Sequence, residues 1–176
     1  RPVGKFALLP LPGQRLREVR RPRAGDPVGP ARLGMVARAA AEGDDRVDFL
    51  QRMTTNDVNS LMPGQSTVTI LTSPTAHILF VFTVVALDDS HYLLPAPGQS
   101  DSLLYRLRGQ IFFVDKVEIC GNDSACIRIM GPLAAQILAD IELVEIPESD
   151  NTVRLSGEMV TVKQDTYNVP GYDLAG

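Results

Sequence analysis

Apolar and polar positions recur along this chain with two periods, and the changes between them mark the elements. Over Asp45–Met53, the residues Val47, Phe49, Leu50 and Met53 return near one face of a 3.6-residue turn, which predicts a short helix. Asp44 and Asp45 stand at its front, where a helix N-terminus favours negative charge. Thr54, Thr55, Asn56 and Asp57 then interrupt it, because such side chains compete for nearby backbone groups. Val58 and Leu61 return to the core before a Pro63-Gly64 turn. Ser66–Thr72 sets Val68 and Ile70 among threonines, the pattern of a strand with one buried face. Ile78–Leu87 is apolar almost throughout and reads as a central strand covered on both faces. His91–Leu94 is a third strand, and the short turns between the three predict an antiparallel meander.

The second half continues the alternation. Ser100–Gly109 has Leu103, Leu104 and Leu107 on one side and Ser100 at its head, so it reads as a helix. Phe112–Ile119 and Cys126–Met130 read as strands separated by the polar turn G-N-D-S-A. Gly131-Pro132 opens a helix over Leu133–Ala139, with proline where a first turn tolerates it. Leu143–Ile146, Thr152–Leu155 and Met159–Gln164 are strand-like. Ala31–Ala41 fits a strand better than a helix, and the closing Val169–Gly176 reads as the start of a strand or as a linker. The expected architecture is α+β, built as two units, each an antiparallel strand group with a packed helix.

Composition is ordinary, with 44% apolar and 22% charged residues. The longest apolar run, Ile78–Leu87, falls well short of the roughly 20 residues a spanning helix needs, so no membrane partner is expected. No secretory leader opens the sequence, and Cys120 and Cys126 read as free thiols of a reducing compartment. Charge is divided unevenly. Residues 1–38 carry nine basic and two acidic groups, +7, and the remainder 8 basic and 19 acidic, −11. Residues 1–30, rich in Pro, Gly and Arg, read as an extended basic arm ahead of a domain over 31–176. With few aromatics to stack bases, such an arm is better suited to the acidic domain behind it than to nucleic acid.

Phosphate loops, dinucleotide fingerprints and nucleophile elbows are absent. His77 opens the most apolar strand and reads as a capping or edge residue; His91, beside Asp88-Asp89, would make an exposed and under-ligated metal site. Asp57 either caps its own turn or orients a ligand N–H, and the cap is the commoner use. The Thr72–His77 turn and the Pro95–Gln99 loop are expected at opposite ends of the strands, and so in different pockets.

Five blocks occur in a fixed order: G-D-D-R-V-D-F-L-Q-R-M-T-T-N-D-V-N-S-L-M-P-G-Q, L-T-S-P-T-A-H-I-L, Y-L-L-P-A-P-G-Q-S-D, F-F-V-D-K-V-E-I and R-I-M-G-P-L-A-A-Q-I-L. Together they resemble the folate-binding domain of the glycine cleavage T-protein (aminomethyltransferase) and YgfZ superfamily over residues 31–176. The resemblance implies two swapped β/α halves, a central hole that takes tetrahydrofolate, and a cytoplasmic protein. It places Asn56, Asp57, Tyr92 and Tyr172 at the pterin, the two tyrosines packing on its ring; ordinary core packing is the competing use of both.

The departures from that pattern bear on activity. The T-proteins carry a G-G-I-x-D-D type motif where this chain has Ala76-His77-Ile78-Leu79-Phe80-Val81, without an acid. Their next asparagine falls near Ala96, and the first acid of their G-E-D-G-F-E segment falls on Val169. Charge developing on folate needs stabilisation already in place, so the expectation is a tetrahydrofolate-binding domain without aminomethyl transfer. The competing expectations are an aminomethyltransferase with its acid elsewhere and a scaffold that has lost its ligand. The missing acid makes the YgfZ branch the closer likeness, which would add a client protein and a part in maintaining iron–sulfur enzymes. That branch's K-G-C-[YF]-x-G-Q-E signature does not occur in these residues.

Overall fold

The computed structural model describes residues 32–140, 145–165 and 169–176, with the backbone alone at 32–38 and 122–125. The arm expected over 1–30 and the strand expected over Leu143–Ile146 lie outside these, apart from the end of the latter. The described elements are β1 (Arg32–Glu42), α1 (Arg46–Met53), β2 (Ser66–Thr72), β3 (Ile78–Ala86), β4 (Ser90–Pro95), α2 (Ser100–Arg108), β5 (Glu118–Met130), α3 (Ala134–Ala139), β6 (Val153–Ser156), β7 (Met159–Lys163) and β8 (Gly171–Ala175).

All eight strands form one antiparallel sheet in the order β2-β3-β4-β1-β5-β8-β7-β6. That order reads as two copies of one unit. A long strand (β1 or β5), a helix (α1 or α3) and a three-strand meander follow each other twice, and the long strands pair at the centre. The duplication is one of structure; no period of roughly 20–50 residues repeats in the sequence.

The sheet curls until its two edges touch. Gln65 bridges Thr152, Ser66 N–H donates to Asn151 O (2.9 Å), and Val153 N–H donates to Gly64 O (2.9 Å). Edge strands that would otherwise expose unpaired backbone are closed against each other there. The curled sheet divides the apolar residues into three clusters. On its outer face Phe49, Leu50, Leu103, Leu104 and Leu107 of α1 and α2 pack on Ala39, Phe82, Val84 and Leu93. Inside the curl lie Val85, Leu94, Cys126, Val160, Val162 and Ala175. Beneath α3, Ala134 and Leu138 meet Ile129, Tyr172 and Leu174. Truncating a fully buried leucine such as Leu50 or Leu107 to alanine would cost about 2–5 kcal/mol.

Three expectations change. Gly121–Ala125 is not a turn: β5 runs through it and stays paired with β1, and the register steps from Ala37↔Ala125 to Arg38↔Asn122, so the extra residues form a bulge. Phe112–Val117 is not strand. Phe112 N–H donates to Asp115 Oδ2 (2.9 Å) and Asp115 N–H to Phe112 O (3.0 Å), closing a turn that leaves Phe113 wholly exposed. β3 is buried only in its second half, Phe82 to Ala86; Ile78, at 63% exposure, and Val81, at 47%, lie in the exposed first half. The closing segment, expected as the start of a strand or as a linker, is the strand β8, buried along its whole length between β5 and β7.

Candidate functional site

The polar corner Thr54–Asp57 runs along β2 as a substitute strand. Thr54 ends α1 by donating both its N–H (3.0 Å) and its hydroxyl (2.9 Å) to Leu50 O, and forms a bridge with Leu71. Thr55 N–H donates to Ile70 O (3.1 Å) and Asn56 N–H to Thr69 Oγ1 (3.1 Å). The Asn56 amide donates from Nδ2 to Val68 O (2.7 Å) and Thr67 Oγ1 (3.0 Å). Both amide protons are thereby held, and Oδ1 remains an acceptor without a partner among the described residues.

Asn56 forms one wall of a groove of about 370 Å³ where the sheet edges approach, with Thr67, Val68, Asp150, Asn151, Gln164 and Asp165. Asn151 takes a left-handed φ of 60°. Asp150 Oδ1 receives the N–H of Asn151 (3.0 Å) and of Asp165 (2.8 Å), while Asp165 Oδ2 receives Lys163 Nζ (2.9 Å). The wall is thus rich in carboxylate and carbonyl acceptors. Its floor is Gln164, the one lining side chain that is buried. Gln164 Nε2 donates to Thr83 Oγ1 (2.9 Å), and its Oε1 accepts from Arg128 Nη2 (2.6 Å). Arg128 in turn grips Asp173 with two bonds, Nε to Oδ1 at 2.5 Å and Nη2 to Oδ2. The Asp173 side chain is 2% exposed, and its bond raises the guanidinium above its ordinary range. A polar chain of Asp173, Arg128, Gln164 and Thr83, buried except at Arg128, therefore lies inside the curl and meets the groove at Gln164.

The four residues placed at a pterin are dispersed. Asn56 lines the groove. Asp57 accepts the Ser60 N–H at 3.3 Å, a turn cap. Tyr92 packs beside the inner cluster, and Tyr172, 4% exposed, lies beneath α3. Sequence reading missed Gln164, Asp150, Asn151 and Asp165, which the backbone pairing of Asn151 and Thr152 with Lys163 brings together and the closure of the edges sets opposite Asn56. The signal that was available is Arg128 and Asp173, opposite charges set in the otherwise apolar runs Cys126–Met130 and Gly171–Ala175.

A second open groove of about 460 Å³ lies on the outer face, lined by Ser73, Leu79, Phe80, Asp101, Ser102, Tyr105 and Arg106. It corrects the expectation that the turn before β3 and the loop after β4 lie at opposite ends. β3 and β4 form a hairpin, so the start of one and the end of the other share an end. At that end Phe80 is half-buried and Val81 exposed, the two residues standing where the T-protein motif has acids. His77 is an edge residue as expected, with Nδ1 2.9 Å from Thr75 Oγ1. His91 is not at an exposed turn; it is 3% exposed inside the outer cluster's strand layer, and burial next to Arg46 pushes its pKa down to about 4. No cluster of three potential metal ligands occurs among the described residues. Neither Cys120 nor Cys126 is in a disulfide, and burial with Glu118 nearby pushes the Cys120 thiol up.

A sheet of two related antiparallel halves, helices on its outer face and a polar groove at its closure define the class as an α+β domain built from a duplicated unit. The chain belongs to the GCVT N-terminal domain family, whose model matches residues 28–164. A chloroplastic protein of Arabidopsis thaliana carrying the name of a transferase is 30% identical over 116 residues, 65% of this chain and 27% of its own. The aminomethyltransferase of Lysinibacillus sphaericus (strain C3-41) is 25% identical over 142 residues, 76% of this chain and 39% of its own. The crystal structure of the glycine cleavage system aminomethyltransferase T from Bartonella henselae superposes with a TM-score of 0.72 at 21% identity, over 83% of this chain and 42% of that one. At that identity the likeness establishes the fold. The chain spans well under half the length of each of these relatives. No helix among the described residues is long and apolar enough to cross a membrane.

Proposed function

We propose that this chain is a tetrahydrofolate-binding domain that does not itself transfer an aminomethyl group. The observation that carries the reading is the acceptor-rich groove at the sheet closure, in a domain of the GCVT N-terminal family. A reduced pterin presents a row of ring N–H donors, which Asn56 Oδ1 and the Asp150 and Asp165 carboxylates complement. Tyr92 and Tyr172 act on this reading through the core around the groove rather than by stacking on the ring. The non-catalytic part rests on Phe80, Val81 and Val169, apolar where the T-protein motif has acids. Two cysteines outside any disulfide suit a reducing, cytoplasmic setting. A part in maintaining iron–sulfur enzymes through a client protein is the YgfZ-branch form of the same reading.

Calorimetric titration with 5-formyltetrahydrofolate tests binding: saturable heat is expected, and none at millimolar ligand would sink the proposal. The aminomethyltransferases among the relatives favour a second reading, in which the groove carboxylates supply the missing acid. Turnover of an aminomethyl donor with tetrahydrofolate above the no-enzyme rate would establish it over the first.

A further inference from the structure

Gln164 is the floor of the groove and its amide has only one permitted orientation. Oε1 is fixed towards the Arg128 guanidinium at 2.6 Å, and Nε2 towards Thr83 Oγ1 at 2.9 Å. A flip would set the NH₂ group against the guanidinium, donor against donor. With one Nε2 proton on Thr83, the other has no partner among the described residues, and the group lines the groove. The groove thus combines one fixed N–H donor below with acceptors on its wall, Asn56 Oδ1 and the Asp165 carboxylate.

A 2-amino-4-oxopyrimidine edge offers one carbonyl acceptor flanked by N–H donors. A 2,4-diamino edge replaces that carbonyl with a further donor and turns the neighbouring ring N3 from donor to acceptor. We infer that Gln164 is a specificity-determining residue that selects the 4-oxo edge and rejects the 4-amino edge, with Arg128 and Thr83 as the positioning residues that hold its amide. The inference rests on the folate reading and goes beyond it, because it names which face of the ring the site reads and which side chain reads it. Rejection follows from leaving a buried donor facing a donor, which costs more than a missing contact at a solvated rim.

The test is calorimetric titration of the full chain with tetrahydrofolate and with its 4-amino analogue, tetrahydroaminopterin, under reductant. Their heavy atoms differ at the 4-position alone, and with it ring N3 changes from donor to acceptor; the Gln164→Glu arm separates the part of the preference that Gln164 carries. The wild type is expected to bind the oxo form on the order of tenfold more tightly. In Gln164→Glu the acceptor for Arg128 is kept, and the Thr83 hydroxyl turns to donate, so the fold is retained while the groove donor becomes an acceptor. That variant is expected to lose the preference or reverse it. The change is in a ratio of affinities, which a merely structural role for Gln164 would leave alone. Equal wild-type affinities for the two ligands overturn the inference and leave folate binding standing; this result needs no variant. An unchanged ratio in Gln164→Glu overturns the assignment to Gln164. Binding of neither ligand at millimolar concentration overturns the folate reading and the inference with it.

Discussion

Replacing Arg128 with methionine removes the cation from the inside of the curled sheet and keeps most of the side chain's apolar length. What remains is the Asp173 carboxylate, with its side chain 2% exposed and both oxygens stripped of the guanidinium bonds they accept. Gln164 Oε1 loses its donor as well. Removing one partner of a buried pair costs about 3–5 kcal/mol, because the other charge is left without solvent or counter-ion. Arg128 itself is 35% exposed, so water reaches part of this network, and the lower end, about 3 kcal/mol, is the expected loss. For a chain of this size that is a fall in Tm of roughly 6–12 °C. The double replacement Arg128→Met with Asp173→Leu removes both charges and should recover most of the loss, to within about 1 kcal/mol of the wild type. Urea unfolding followed by circular dichroism gives all three stabilities. A loss below about 1 kcal/mol in the single variant, or a double variant no more stable than the single, would refute the reasoning that Asp173 depends on Arg128.

Two further outcomes follow from buried groups elsewhere. His91 is held neutral in the fold with a pKa of about 4, against 6.5 ordinarily, by burial and by the Arg46 charge. Between those values the unfolded chain binds a proton that the folded chain does not, so stability is complete above about pH 6.5 and falls as pH drops towards 4, by up to about 3 kcal/mol. His91→Leu should flatten that stretch of a stability-against-pH curve, and an unchanged slope would contradict the assignment. Gly171→Ala would place a Cβ 2.5 Å from the Gln164 backbone oxygen, closer than any real contact. It should cost about 1–3 kcal/mol in urea unfolding and weaken folate binding by displacing Gln164; wild-type values for both would show that β8 yields freely.

The elements were legible where one period held over a whole segment. Phe49, Leu50 and Met53 on α1 and Leu103, Leu104 and Leu107 on α2 are spaced for one buried face, and the structure buries or half-buries them together. Val160 and Val162 give β7 in the same way. Reading failed where a local signal was outvoted by long-range pairing. G-N-D-S-A has the composition of a turn, yet β1 offers a continuous partner on the other side and the polar run becomes a bulge. Phe112 to Val114 has strand composition, but the Asp115 carboxylate satisfies the loop's own backbone and Arg52 holds it in place at 2.9 Å. The groove was not legible because it exists only where Gln65 meets Thr152, 87 residues apart, and no local pattern encodes that closure. Asn56 was found because its corner is locally unusual. Gln164 was not, because a glutamine after an apolar strand carries no signal until Arg128 and Thr83 are placed beside it.

The central claim is that tetrahydrofolate is held where the two sheet edges close. Hydrogen–deuterium exchange with and without saturating 5-formyltetrahydrofolate tests it most directly, since protection reports position as well as binding. The account predicts slowed exchange at the amides of Asn56, Val68, Asn151, Gln164 and Asp165, and little change around Leu79, Phe80 and Tyr105. Protection confined to that second groove, or none at a ligand concentration that saturates the calorimetric signal, would contradict it.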